Sequence, residues 1–140
     1  MSEEARNVET LKRAYQRWSD TLGGSADEWL HICSDTITFG SIAQGPEGAR
    51  YMTEYRSREA LKEYFAGLER DWQMIEFATE HFVAQGDRVV MLGRCAFRYK
   101  KTGKVVWTHK ADSWRFAGGK AVEYFEFYDT AQVHAAVAEA

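Results

Sequence analysis

The stretch RVVMLGRCAFRYKKTGKVVWTHKADSWRFAGGKAVEYFEFYDT, residues 88–130, decides the fold. Apolar and polar residues alternate through Arg88–Lys100, Lys104–Phe116 and Lys120–Tyr128, the period-two pattern of strands that bury one face. Thr102-Gly103 and Gly118-Gly119 separate these runs and carry the chemistry of tight hairpins. Just upstream, Ile75–Ala84 has the same period and ends at a further turn signal, Gly86-Asp87. Four strands joined by consecutive hairpins form an antiparallel meander.

Ahead of the meander the period lengthens. Val8, Leu11, Tyr15, Trp18 and Leu22 form one helical stripe, closed by Gly23-Gly24. A short second helix starts near Ser25 and turns Trp29, Leu30 and Cys33 inward. Ser57 caps a third, striped by Leu61, Tyr64, Phe65, Leu68 and Trp72. Thr36–Phe39 reads as a short strand, and Gly40–Arg56 as a long loop of the kind that often binds or covers a ligand. Asp129 or Thr130 caps a short terminal helix. Helices segregated ahead of a meander define an α+β fold: a cone-shaped, curved antiparallel sheet with three N-terminal helices packed on its concave face. The expected organisation is one domain, 1–140, whose cone leaves a pocket that helix side chains do not fill.

Composition narrows the partners. The 140 residues are 45% hydrophobic with a net charge of −3, and no basic cluster is present to neutralise phosphates, so nucleic acid is not an expected partner. No run approaches the roughly 20 apolar residues of a membrane span, and the start, MSEEARNVE, lacks the apolar core of a secretion signal. Cys33 and Cys95 stand far apart and the four histidines are scattered. The expectation is therefore a cytoplasmic protein with two reduced thiols, no metal and no cofactor.

Three charges fall where the sheet core should be. Alternation puts Lys110, Asp112 and Trp114 on one face of their strand, and Tyr124, Glu126 and Tyr128 on one face of the next. If both sets face the cone, Asp112 and Glu126 are cross-strand neighbours with Lys110 beside them. Two carboxylates in a closed pocket raise the pKa of one, and the ammonium holds the other ionised, which suits proton exchange near neutral pH. Two other readings stand beside this catalytic one. The three charges form an inert or ligand-binding network, or both strands are turned over and the charges decorate the outer face.

Aromatic residues line the interior in this reading: Tyr15, Trp18 and Trp29 from the helices, Tyr55 from the loop. Phe97, Trp114, Tyr124 and Tyr128 come from the strands, with Cys95 as a small apolar neighbour. On the opposite sheet face, Trp107, His109, Phe125 and Phe127 are too apolar as a group for solvent, so a homodimer through that face is expected.

The order and spacing of SDTITF (34–39), YRSREALKEYF (55–65) and TGKVVWTHKADSWRFAGGKAVEYFEFYDT (102–130) resemble the nuclear-transport-factor-2-like superfamily, and within it SnoaL-like proteins. That resemblance implies a cone fold shared by isomerases, cyclases, dehydratases, epoxide hydrolases and non-catalytic domains. Against ketosteroid isomerase, the D-x-x-R-F phrase matches Asp112-Ser113-Trp114-Arg115-Phe116 and a helix-one tyrosine falls near Tyr15, while the base position falls near Gly40. Against SnoaL-like cyclases, the acid–base carboxylate falls close to Glu126. Against limonene-epoxide hydrolase, Lys110-Ala111-Asp112 with Glu126 resembles an altered Arg-x-Asp phrase and its partner aspartate. The resemblance implies a cofactor-independent acid–base enzyme on a small apolar molecule, with a ligand-binding or dimerisation domain as the alternative.

Overall fold

The structure is a computed structural model that describes residues 1–42 and 54–139. Its elements run α1 (Glu3–Asp20), α2 (Ala26–Ile32), β1 (Cys33–Ser41), α3 (Arg58–Asp71), β2 (Trp72–Gln85), β3 (Arg88–Tyr99), β4 (Val105–Ala117), β5 (Lys120–Tyr128) and α4 (Thr130–Val137). The strands form one sheet in the order β1-β5-β4-β3-β2.

Helix α1 begins at Ser2, whose hydroxyl accepts from the Ala5 amide at 3.1 Å, with Glu3 and Glu4 favourably placed in the first turn. It buries Leu11, Ala14, Tyr15 and Trp18 along one stripe. Complete burial of a leucine such as Leu11 or Leu61 contributes about 1.5–3 kcal/mol. Ser57 caps α3 in the same way, accepting from the Ala60 amide at 3.0 Å. At the other end Asp129 caps α4 by accepting from the Gln132 amide.

The meander forms as its alternation dictates. β2–β3, β3–β4 and β4–β5 are all antiparallel, and Gly118 and Gly119 take φ of 56° and 81°, the left-handed pair that a two-residue hairpin requires. Three expectations need correction. The sheet is mixed rather than antiparallel throughout, because β1 pairs parallel to β5; β1 is also longer than expected and takes in Gly40 and Ser41. The helical stripe stops short of Trp72, which caps α3 in extended conformation (φ −128°, ψ 149°) and opens β2. Of the loop expected at Gly40–Arg56, residues 43–53 lie outside the described residues.

The inner sheet face carries Met91, Cys95, Thr108, Asp112, Trp114, Tyr124 and Glu126, all buried. The outer face carries Trp107, Phe125 and Phe127, which keep 45%, 39% and 44% of their surface exposed. The reading with β4 and β5 turned over is thereby excluded.

Candidate functional site

β4 and β5 bring the three charges together. Asp112 and Glu126 are direct partners in the β4–β5 register, and Lys110 lies two residues before Asp112 on the same face. The inner position opposite Lys110 on β3 is Gly93. A Cβ there would stand 2.2 Å from the Ala78 carbonyl oxygen of β2, so the strands can approach this closely only around glycine.

The Lys110 ammonium lies 2.5 Å from Asp112 Oδ1 and 2.9 Å from Glu126 Oε1. It also donates to the Tyr124 hydroxyl at 3.1 Å. The remaining oxygen of Asp112 accepts from Tyr15 Oη at 2.5 Å, and Tyr15 in turn accepts from Trp114 Nε1 at 2.9 Å. Glu126 is more heavily served. Ser41 and Tyr64 donate to Oε2, and Tyr124 donates to Oε1 beside the ammonium. Asp112 and Glu126 are 1% and 3% exposed, so this is a desolvated ion network in which almost every polar atom has a partner.

Electrostatics follow from that geometry. Burial pushes the Asp112 carboxyl above its ordinary value; Lys110 opposes the rise and Glu126 adds to it. For Lys110 burial works downward, but the charges of Asp112 and Glu126 outweigh it and the ammonium is held above its ordinary value. Burial and the neighbouring Asp112 charge raise both Tyr15 and Tyr124 well above the usual phenol value. The tyrosines therefore stay neutral donors, and Lys110 stays a cation, across the physiological range. Burial lifts the Cys95 thiol to about 12, which fits a small apolar wall residue.

A cavity of about 90 Å³ lies against this network. Of the residues the sequence singled out, Asp112, Lys110 and Glu126 line it, and so do Tyr15, Trp18, Trp29, Cys95, Phe97, Trp114, Tyr124 and Tyr128. Trp29 stacks on Trp114 at 5.4 Å, and both face the cavity as lining. Tyr55 is the exception: it is half-buried, bridges Phe39 and packs edge-on against Tyr64 at 6.0 Å, outside the lining. Phe65, Leu68, Phe97 and Tyr128, also in the lining, are only half-buried.

Several contributors escaped the sequence reading, Ser41, Tyr64 and Trp72 among them. Ser41 was assigned to a loop, and Tyr64 and Trp72 to a plain core stripe. The signal for Tyr64 was its hydroxyl, which a buried tyrosine must satisfy. For Ser41 no local signal existed, because its role depends on the parallel β1–β5 pairing that sets Ser41 opposite Glu126. Among the described residues, no cluster of three His, Cys, Asp or Glu is placed to hold a metal ion, and no helix is long and apolar enough to cross a membrane.

A family model described as a SnoaL-like domain matches residues 11–124. No curated protein matches the chain. Several solved structures share the architecture. An NTF2-like protein from Burkholderia thailandensis is 24% identical over 99% of each chain, with a TM-score of 0.80. A protein provisionally called an isomerase, from Bacillus subtilis, is 18% identical over 100% of this chain and 98% of that one, with a TM-score of 0.81. TerC, co-crystallised with polyporic acid, is 22% identical over 94% of this chain and 97% of that one, with a TM-score of 0.76. At these identities the likeness concerns the fold.

Proposed function

We propose that this chain, which belongs to the SnoaL-like domain family, binds a small, largely apolar molecule in its cavity and moves a proton on it without a cofactor. One observation carries the reading: two buried carboxylates share a single ammonium on the wall of an aromatic cavity. Ionisable groups perturbed by burial and by a specific charge partner, gathered in a cleft, are what proton chemistry requires. Asp112 is the group that takes and returns the proton, since among the described residues Tyr15 and Lys110 alone serve it and its pKa is raised. Glu126, served by Ser41, Tyr64, Tyr124 and Lys110, balances the ammonium and relays charge to it. Lys110 and Tyr124 present donors to an oxygen of the substrate, lowering the cost of charge that develops there. The reaction class is proton transfer next to a carbonyl, or addition and loss of water or a hydroxyl.

At about 90 Å³ the cavity is smaller than the roughly 150 Å³ that takes a benzene ring. A substrate of that size requires half-buried lining rings such as Phe65, Phe97 and Tyr128 to move.

The test is deuterium wash-in. Acetophenone, 2-cyclohexenone and 1-indanone are incubated with the protein in D₂O and exchange at the carbon next to the carbonyl is followed by proton NMR. The reading expects wild type to accelerate exchange of at least one of them, and Asp112→Asn and Glu126→Gln each to lower that rate about 10²-fold or more. No acceleration by wild type, or full activity in both variants, overturns it.

A second reading, a ligand-binding domain without chemistry, is favoured by the completeness of the network, since both carboxylates already accept from several donors. Binding of the same ketones with no exchange is its signature.

The proposed partner of the outer face is a second copy of the chain. Trp107, Phe125 and Phe127 stand exposed there, while flanking charges pair within the chain (Arg94 with Glu76, Arg88 with Glu123) and leave little to attract a charged partner. A cytoplasmic setting fits the two free, buried thiols of Cys33 and Cys95.

A further inference from the structure

One polar group in the cavity wall is unaccounted for by the proton chemistry. Trp72 lines the cavity and is 5% exposed, yet its indole Nε1 has no hydrogen-bond partner among the described residues. A buried indole N–H usually finds an acceptor, and leaving one unmade costs about 1–3 kcal/mol. Aromatic rings pack beside it: Tyr99 is tilted by 59° at 4.8 Å and Phe97 stands edge-on at 6.4 Å. By contrast Trp114, at the other end, satisfies its N–H on Tyr15.

The strand register places Trp72 at the end of the cavity remote from the ions. Trp72 pairs with Tyr99, and Phe97 with Val106, whereas Lys110 pairs with Gly93 and Tyr128. Two inner positions of β4, Val106 and Thr108, therefore lie between the row nearest Trp72 and Lys110. Thr108 is already engaged, accepting from the Asp129 amide and donating to the His109 carbonyl. Phe97 and Leu68, beside Trp72, are half-buried residues of the lining.

From this juxtaposition we infer that Trp72 is a specificity-determining residue, its Nε1 donating to an oxygen acceptor on the far end of the bound molecule. The inference rests on the cavity's being a ligand site, and it deepens that reading by naming the ligand class. The molecule is a slim apolar body with one oxygen beside Lys110 and a second at the opposite end. A ligand with a single polar end leaves the indole N–H unpaired and binds less well. An unpaired buried donor discriminates more sharply than a change in apolar fit, because the group has no solvent to fall back on.

Two probes of nearly equal shape test this: 1,4-diacetylbenzene, with an acceptor at each end, and 4-ethylacetophenone, with one. Affinities are measured by calorimetry for wild type and Trp72→Phe, and the indole N–H resonances are followed in ¹⁵N-labelled wild type. Trp72's resonance is assigned by its loss in the variant. Wild type is expected to prefer the diacetyl compound about five-fold or more, with its Trp72 resonance moving downfield only for that compound. Trp72→Phe should lose the preference, binding the two compounds alike. If both compounds bind and the preference is absent from wild type or survives in the variant, or the Trp72 resonance responds alike to both, the assignment of Trp72 is overturned while the ligand site stands. If neither binds wild type, the ligand-site reading itself falls and takes this inference with it. Should Trp72→Phe fail to fold, the resonance in wild type, assigned instead through backbone connectivity, decides the question.

Discussion

Asp112 and Glu126 face each other directly across the β4–β5 ladder, and one ammonium, that of Lys110, lies within 2.9 Å of an oxygen on each. Two negative charges and one positive are thus held away from water, and the consequences are measurable whether or not a substrate is known.

Replacing Lys110 by methionine keeps the side-chain length and removes the cation. Two buried carboxylates then confront each other without a counter-charge, and breaking such a network costs about 3–5 kcal/mol. Urea unfolding at pH 7.5 should show a loss of that order. The loss should shrink as pH falls, because protonating one carboxyl relieves the repulsion. A Lys110→Met protein as stable as wild type at pH 7.5 would mean the ammonium does not compensate these charges.

Asp112→Asn should behave in the opposite way. The native Asp112 pKa lies above its unfolded value, so its contribution to stability is present at low pH and is lost as pH rises through the native value. Asparagine suffers no such loss. The variant's melting temperature at pH 7.5 should equal or exceed that of wild type, with the advantage disappearing below about pH 4, where aspartate is protonated in the unfolded chain too. A variant clearly less stable than wild type at pH 7.5 would contradict this.

Alkaline stability follows from the other buried groups. Burial raises Cys33 and Cys95 from 9.0 to about 12, so the stability they contribute is complete below pH 9 and lost as pH rises toward 12. Each thiol in that window removes about 1.4 kcal/mol per pH unit. Tyr15 and Tyr124, raised above 10.0, add to the slope beyond pH 10. Chemical unfolding at pH 8, 9.5 and 10.5 should therefore show steepening loss, delayed in a Cys33→Ala, Cys95→Ala double variant. A flat profile to pH 10.5 would show these groups titrating normally.

The outer face makes a separate prediction. Sedimentation should give twice the 16.1 kDa chain mass at micromolar concentration, and Phe127→Glu, at a residue 44% exposed in the single chain, should give the monomer without loss of melting cooperativity. A monomeric wild type would leave that face without its proposed partner.

Much of this molecule was legible in its residues because strand alternation and hairpin glycines are local signals. Period two grouped Lys110, Asp112 and Trp114 on one face and Tyr124, Glu126 and Tyr128 on one face, but which face turns inward was decided only by the burial of Asp112, Trp114, Tyr124 and Glu126. What escaped was non-local. The parallel β1–β5 pairing, which sets Ser41 beside Glu126, has no short-range signature. Trp72 satisfies helical spacing from Leu68 as well as it begins a strand, so the stripe ran one residue past the end of α3. Tyr55 was expected inside on the strength of its aromatic ring, but its chain bridges Phe39 and leaves the ring behind Tyr64.

The central claim is that Asp112 exchanges a proton with a bound molecule, and the pH dependence of deuterium wash-in on whichever ketone the protein accepts tests it most directly. The account predicts a wild-type rate that climbs as Asp112 ionises, with its midpoint displaced upward from an ordinary aspartate, and an Asp112→Asn rate that is low and flat over the same range. A wild-type profile reproduced unchanged by Asp112→Asn would contradict it.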